Sequence, residues 1–268
     1  MGCTKREGER MKHRFFFFVF ILLSLSMGNH AFSYEQEGAS SIDPTVDKTL
    51  RQMCDYLKSA EQYTLCSQAT FEKISVSGQK LEYGETVSVA VRRPDRLHAN
   101  IVGDLINNRF WYNGKSITML DTDLNMYATT DAPADIDSTL GFAAKSLGIT
   151  APLADFVVSD PYTALTEKAQ SATYVGLHKI GGIKCHHLAF TQENLDWQIW
   201  IEDGKMQVPR KIVITYKLAE GAPQYTAVLS DWNFAPHLPE SVFAFIAPAD
   251  SEKIEFMPVE NRVPDKID

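Results

Sequence analysis

Between Glu85 and Thr130 apolar side chains recur at every second position, and no other feature constrains the fold of this chain so strongly. Val87, Val89 and Val91 alternate with Thr86, Ser88 and Ala90; Leu97, Ala99 and Ile101 repeat the rhythm, and Ile117 and Met119 carry it on. Successive strand side chains point to opposite faces, so a period of two describes a sheet with one apolar face. The interruptions are turn formers: Arg93-Pro94-Asp95, Asn107-Asn108, Asn113-Gly114 and Asp121-Thr122-Asp123. Asn-Gly is a strong hairpin signal because both residues tolerate positive φ. An antiparallel meander is expected here, and it raises the question of what covers its apolar face.

The flanking segments supply candidates. Asp43-Pro44 combines a capping side chain with proline at a first helical position, and Val46, Leu50, Met53 and Leu57 then form one stripe. Gln62 to Val76 and Gln79 to Arg92 pair through the Ser77-Gly78 turn and lead into the meander. From Ala132 to Gln170 the period becomes helical: Ile136, Leu140, Ala143 and Leu147 precede Gly148, Leu153 and Phe156 follow a proline, and Asp160-Pro161 opens another helix towards Leu165. Strands then return at Thr173 to Ile180 and Ile183 to Thr191 around Gly181-Gly182, and continue as Leu195 to Glu202, Gln207 to Leu218 and Gln224 to Phe234. A short apolar piece from Ile254 to Phe256 reads as an edge strand. The expected class is α+β: a curved antiparallel sheet of about ten or eleven strands, an N-terminal helix, and a mid-chain helical lid on the concave face.

Residues Phe15 to Leu25 form an uncharged apolar run of 11 residues after Lys12, His13 and Arg14, with Ala31-Phe32-Ser33 beyond it. That run is too short to span a bilayer and reads as a secretory signal cut after Ser33. One domain is expected over 34–258, followed by a loose tail at 259–268. The first 33 residues carry five Lys or Arg and two Asp or Glu out of totals of 26 and 34, which leaves 21 basic against 32 acidic residues and a net charge of −11. Nucleic acid and anionic surfaces are poor partners for such a chain. Among the cysteines of the exported part, Cys54 and Cys66 are the local pair expected to bridge in an oxidising compartment, with pairing through Cys185 left open.

Catalytic chemistry has little support. There is no GxSxG elbow, HExxH, phosphate-cradling glycine loop or framed carboxylate pair. Cys185-His186-His187 offers three ligand types in a row, but on a strand only Cys185 and His187 share a face, short of a structural zinc set. No catalytic residue, metal or cofactor is therefore assigned. The aromatic and Met content suits either a core or an apolar pocket. A sheet that curves without closing cannot fill its own concavity, so helices or a ligand must do so. Sheltering acyl carbon yields roughly 0.8 kcal/mol per methylene, so a dozen methylenes would give on the order of 10 kcal/mol before costs.

The segments RRPDRL, FWYNGKSITML, APLADF, DWQIWIEDGKMQVPRKIVITYK and FAFIAPAD resemble those of predicted periplasmic proteins with domain of unknown function 2092. The order of elements is similar to that of the LolA/LolB-like lipoprotein-carrier superfamily. This resemblance implies a periplasmic half-barrel that holds acyl chains without catalysis. It also implies that Arg93, just before the motif proline, helps hold the lid shut. The expected ligand-facing residues are Phe110, Trp111, Met119, Trp197 and Ile199 from the sheet and Leu140, Leu147, Leu153 and Phe156 from the lid. The expected partners are a lipid or acylated polypeptide and a membrane-bound donor or acceptor protein, with the chain itself a monomer. An envelope sensor or interaction module of the same fold is the alternative, and a hydrolase the weakest reading.

Overall fold

The structure, a computed structural model, describes residues 43–256. The expected signal segment and its cleavage after Ser33, and the tail 259–268, lie outside the described residues. Twelve strands build one sheet: β1 (Gln62–Ile74), β2 (Lys80–Arg92), β3 (Arg96–Gly103), β4 (Asn107–Tyr112), β5 (Ser116–Asp121), β6 (Met126–Asp131), β7 (Ser171–Ile180), β8 (Ile183–Thr191), β9 (Leu195–Glu202), β10 (Pro209–Tyr216), β11 (Gln224–Asn233) and β12 (Glu252–Ile254). Their order is β12-β6-β5-β4-β3-β2-β1-β11-β10-β9-β8-β7, with β12 and β7 as free edges, so the curved sheet is a half-barrel. The count of twelve is slightly above the ten or eleven expected. Every pairing is antiparallel except β12 with β6, which is parallel. The chain leaves β11, crosses the outer face of the sheet and reaches that edge from the far side.

Turn chemistry fixes the register. At the β7–β8 hairpin Gly181 and Gly182 both hold positive φ, 56° and 87°, which suits the twist of a two-residue turn. In the β4–β5 hairpin Asn113 Oδ1 accepts from the backbone N–H groups of Lys115 and Ser116, both at 3.0 Å, while Gly114 takes φ 85°.

Helix α1 (Pro44–Ser59) begins where Asp43 Oδ1 accepts from Thr45 N at 2.7 Å. Its stripe of Val46, Leu50, Met53 and Leu57 is buried against the concave face, where it meets β7 and β9. Each of those side chains contributes about 2 kcal/mol of gross burial. Helix α2 (Ile136–Ser146), a 3₁₀ turn at Ala154–Phe156 and helix α3 (Pro161–Thr166) make up the mid-chain insertion, and α3 packs on α1. The main core is the space these helices share with the inner face of β1 and β7–β11.

The expected Cys54–Cys66 bridge is not formed; both thiols are free, as is that of Cys185. The pleat explains this. On β1 the inward side chains are Tyr63, Leu65, Ser67 and Ala69, so Cys66 faces outward, 3.7 Å from Ser88 Oγ, while Cys54 is buried under α1 on the inner side. Burial pushes the Cys54 thiol up to about 12, a buried apolar side chain in effect.

Candidate functional site

Cross-strand registration places the inner face in rows. The row at the lid end runs Tyr63, Val91, Leu97, Tyr112 and Ile117, and the next runs Leu65, Val89, Ala99, Phe110 and Met119. On the β8–β11 side the inward residues Leu188, Phe190, Trp197, Ile199, Ile212, Ala227 and Leu229 are none of them more than 4 % exposed. On the β2–β5 side Ala99, Ile101, Phe110 and Met119 are half-buried and join none of the three buried clusters. The concavity is thus packed on one side and forms an apolar trough on the other.

The lid closes over the upper end of this trough through polar bonds. Arg93, joined to Pro94 by a cis peptide bond, turns inward, and its Nη1 donates to Val157 O at 2.8 Å, at the end of the 3₁₀ turn. The Tyr63 hydroxyl donates to Phe156 O at 3.0 Å, and the Arg93 guanidinium lies 5.9 Å from the centroid of the Tyr63 ring. Burial raises the Tyr63 phenol, so it remains a neutral donor. The Tyr112 hydroxyl donates to Pro133 O at 2.6 Å, and Ile136 N to Pro94 O at 2.9 Å, which ties the start of α2 to the same end of the sheet. Asp137 Oδ1 accepts from Ser159 N at 2.9 Å and links α2 to the segment before α3. A space of about 130 Å³ lies between Arg93, Pro94, Asp135, Asp137 and Ser159.

The residues expected to face a ligand divide three ways. Phe110 and Met119 lie side by side on the inner face of the trough. Phe156, Trp197 and Ile199 are fully committed to the main core, with Leu140 and Leu153 packed against it, and Leu147 sits with Ile117 and Ala143 in a satellite cluster under α2. Trp111 is misplaced by the expectation. It pairs with His98 and Thr118 on the outer face, where its ring meets His98 at 5.0 Å and Phe245 at 5.1 Å between centroids. The reason is again the pleat, since neighbours on β4 cannot face the same way. Phe243 and Phe245 belong to a C-terminal segment held on that outer face by Glu240, which binds Arg92 and Arg96, the latter through Nε at 3.0 Å.

His186 and His187 take opposite faces. His186 Nδ1 is 2.9 Å from the Tyr174 hydroxyl, while His187 stacks on Trp200 with 3.9 Å between centroids and bonds Gln198 Oε1 through Nε2 at 2.9 Å. Burial lowers the His187 imidazole, which favours the neutral ring. Among the described residues no three His, Cys, Asp or Glu side chains are placed to share a metal ion, and no helix is long and apolar enough to cross a membrane.

The sequence reading overlooked Glu85, Ser67 and Asn108, which share the inner face with Val87. The signal was present: Glu85 stands two residues before Val87 in the same alternation, and Ser67 two after Leu65. The Glu85 carboxyl accepts from the Tyr225 hydroxyl, and burial raises it above the ordinary glutamate range.

No curated protein matches the chain. Among solved structures it is similar to the lipoprotein LppX of Mycobacterium tuberculosis, with 16% identity over 74% of this chain and 100% of that one, at a TM-score of 0.44. It is also similar to LprF from Mycobacterium bovis, with 14% identity over 74% and 98% of the two chains and a TM-score of 0.42. A LolA superfamily protein from Nitrosomonas europaea matches at 9% identity over 74% and 97% of the two chains, with a TM-score of 0.37. The model of one sequence family covers residues 46–257, nearly all that the structure describes, and on that match the chain belongs to the predicted periplasmic proteins of domain of unknown function 2092.

Proposed function

We propose that this protein binds a hydrophobic ligand, a lipid or a lipid-modified polypeptide, in the trough between the inner face of β2–β5 and the helical cover, and carries it without chemical change. The observation that carries the reading is the half-exposed row Ala99, Phe110 and Met119 inside an unclosed sheet whose other half is solidly packed. A soluble domain gains by keeping such residues dry, so an inward apolar strip without a partner marks a binding groove. Export to the periplasm by a cleaved signal is part of the proposal, and the family description agrees with that compartment.

The lid is suited to open. Its apolar residues Leu147 and Phe156 fill the inner space themselves, so an acyl chain that displaces them exchanges one apolar contact for another, near balance in free energy. The cost falls on the polar bonds that Arg93, Tyr63 and Tyr112 make to backbone carbonyls, at about 1 kcal/mol each and somewhat more for the charged donor. Arg93 is thus a latch whose release accompanies loading.

Two measurements test the proposal: native mass spectrometry of the protein purified from the cell envelope, and uptake of a fluorescent long-chain alcohol. Co-purified lipid with saturable uptake is the expected result. Neither lipid nor uptake would refute carriage.

A further inference from the structure

The trough changes character along its length, and this inference rests on the proposed binding of a hydrophobic ligand there. Beyond the two apolar rows, the third row contains Ser67, Val87, Ile101, Asn108 and Asp121, and the fourth brings Ala69, Glu85 and Gly103 together. Same-face rows are ~7 Å apart along a strand, so the polar groups begin ~14 Å from the lid end. That end carries two buried polar atoms without partners. Ser67 is fully buried and its Oγ finds no partner among the described residues, and Asn108 Oδ1 is likewise buried and unpartnered. Buried polar atoms without partners are uncommon and call for an explanation, of which a ligand is one.

Glu85 completes the set. It is half-buried, and its carboxyl meets the Tyr225 hydroxyl, itself on a residue only 5 % exposed, with no cation acting on it. The position across the row is Gly103, where an added Cβ would stand 2.9 Å from both Glu85 Cβ and Gly84 O, so no side chain fits there without a shift of the backbone.

We propose that this polar end of the trough selects ligands whose head group donates hydrogen bonds and bears no negative charge, an amine or a hydroxyl, with Glu85 as the recognising carboxyl and Ser67 and Asn108 beside it. The acyl part then lies towards the lid along Phe110 and Met119. A head group with its own negative charge meets the Glu85 carboxyl with no cation beside it to offset the repulsion.

Three fluorescent probes with one alkyl body and an amine, a hydroxyl or a sulfonate at its end distinguish the outcomes by titration near neutral pH. The amine and hydroxyl probes are expected to bind about tenfold more tightly than the sulfonate. Glu85→Gln, nearly isosteric, should close most of that gap, whereas Glu82→Gln, on the outward side of the same strand, should leave it unchanged. Ser67→Ala is a second, milder variant: it should weaken the hydroxyl probe about threefold without lowering thermal stability, because it removes an unpartnered polar atom. Equal binding of all three probes, or a gap that survives Glu85→Gln, overturns head-group selection alone. Binding of none overturns the hydrophobic-ligand reading and this inference with it.

Discussion

The two halves of the sheet obey the same alternation and end in different uses. On β8–β11 the inward side chains meet α1, α3 and the 3₁₀ turn, and become the main core. On β2–β5 the inward Val91, Tyr112 and Ile117 are buried at the lid end, but Ala99, Ile101, Phe110 and Met119 beyond them remain half-covered, while the outer face of that half is the one dressed by the segment carrying Phe243 and Phe245. Periodicity therefore determines which residues share a face, and the covering elements determine whether that face stabilises or binds.

The contrast can be tested by substitution. The largest effect is expected on the packed side: Phe156→Ala should cost about 3–5 kcal/mol in chemical denaturation, since the ring is only 1 % exposed and its loss leaves a cavity. A cost below about 1 kcal/mol would show that the lid does not belong to the core. Next comes the boundary between halves. Arg93→Leu removes the donor to Val157 O and should cost about 1.5–3 kcal/mol, with faster proteolysis between residues 148 and 168. On the open side Phe110→Ala should cost only about 1 kcal/mol of stability, because the ring is half-covered, yet weaken uptake of a long-chain probe about fivefold. Equal losses of stability in Phe110→Ala and Phe156→Ala would erase the distinction.

The smallest effect is a pH dependence from the open side. Burial raises Glu85 above its ordinary value of 4.5, so the folded state holds that proton more tightly than the unfolded chain does. Its contribution to stability is therefore full below the ordinary value, declines as pH rises through the raised value, and stays lower above it. Denaturation midpoints across that window should fall less in Glu85→Gln than in the wild type. Identical profiles would place Glu85 in water.

Much of this was legible beforehand. Asp43-Pro44 and the stripe Val46, Leu50, Met53, Leu57 announce α1, and Gly181-Gly182 announces the β7–β8 hairpin, because each depends on neighbours in sequence. The failures come from parity. Cys66 looked close to Cys54, and Trp111 looked like a wall of the pocket, yet each stands one residue out of step with the inward set. The same count, applied to Glu85 and Ser67, would have found the polar end of the trough. What no count could supply is the tail over the outer face, since Glu240 meets Arg92 and Arg96 from about 145 residues away in sequence.

Arg92 and Arg93 are neighbours that hold different elements, the first gripping Glu240 of the tail outside and the second Val157 of the lid inside. Their division of labour depends on a single residue of phase. An insertion or deletion of one residue in β2 would turn each arginine towards the other's quarry and invert every side chain between them and the shifted point. This strand should accordingly tolerate exchanges of side chain far better than any change of length.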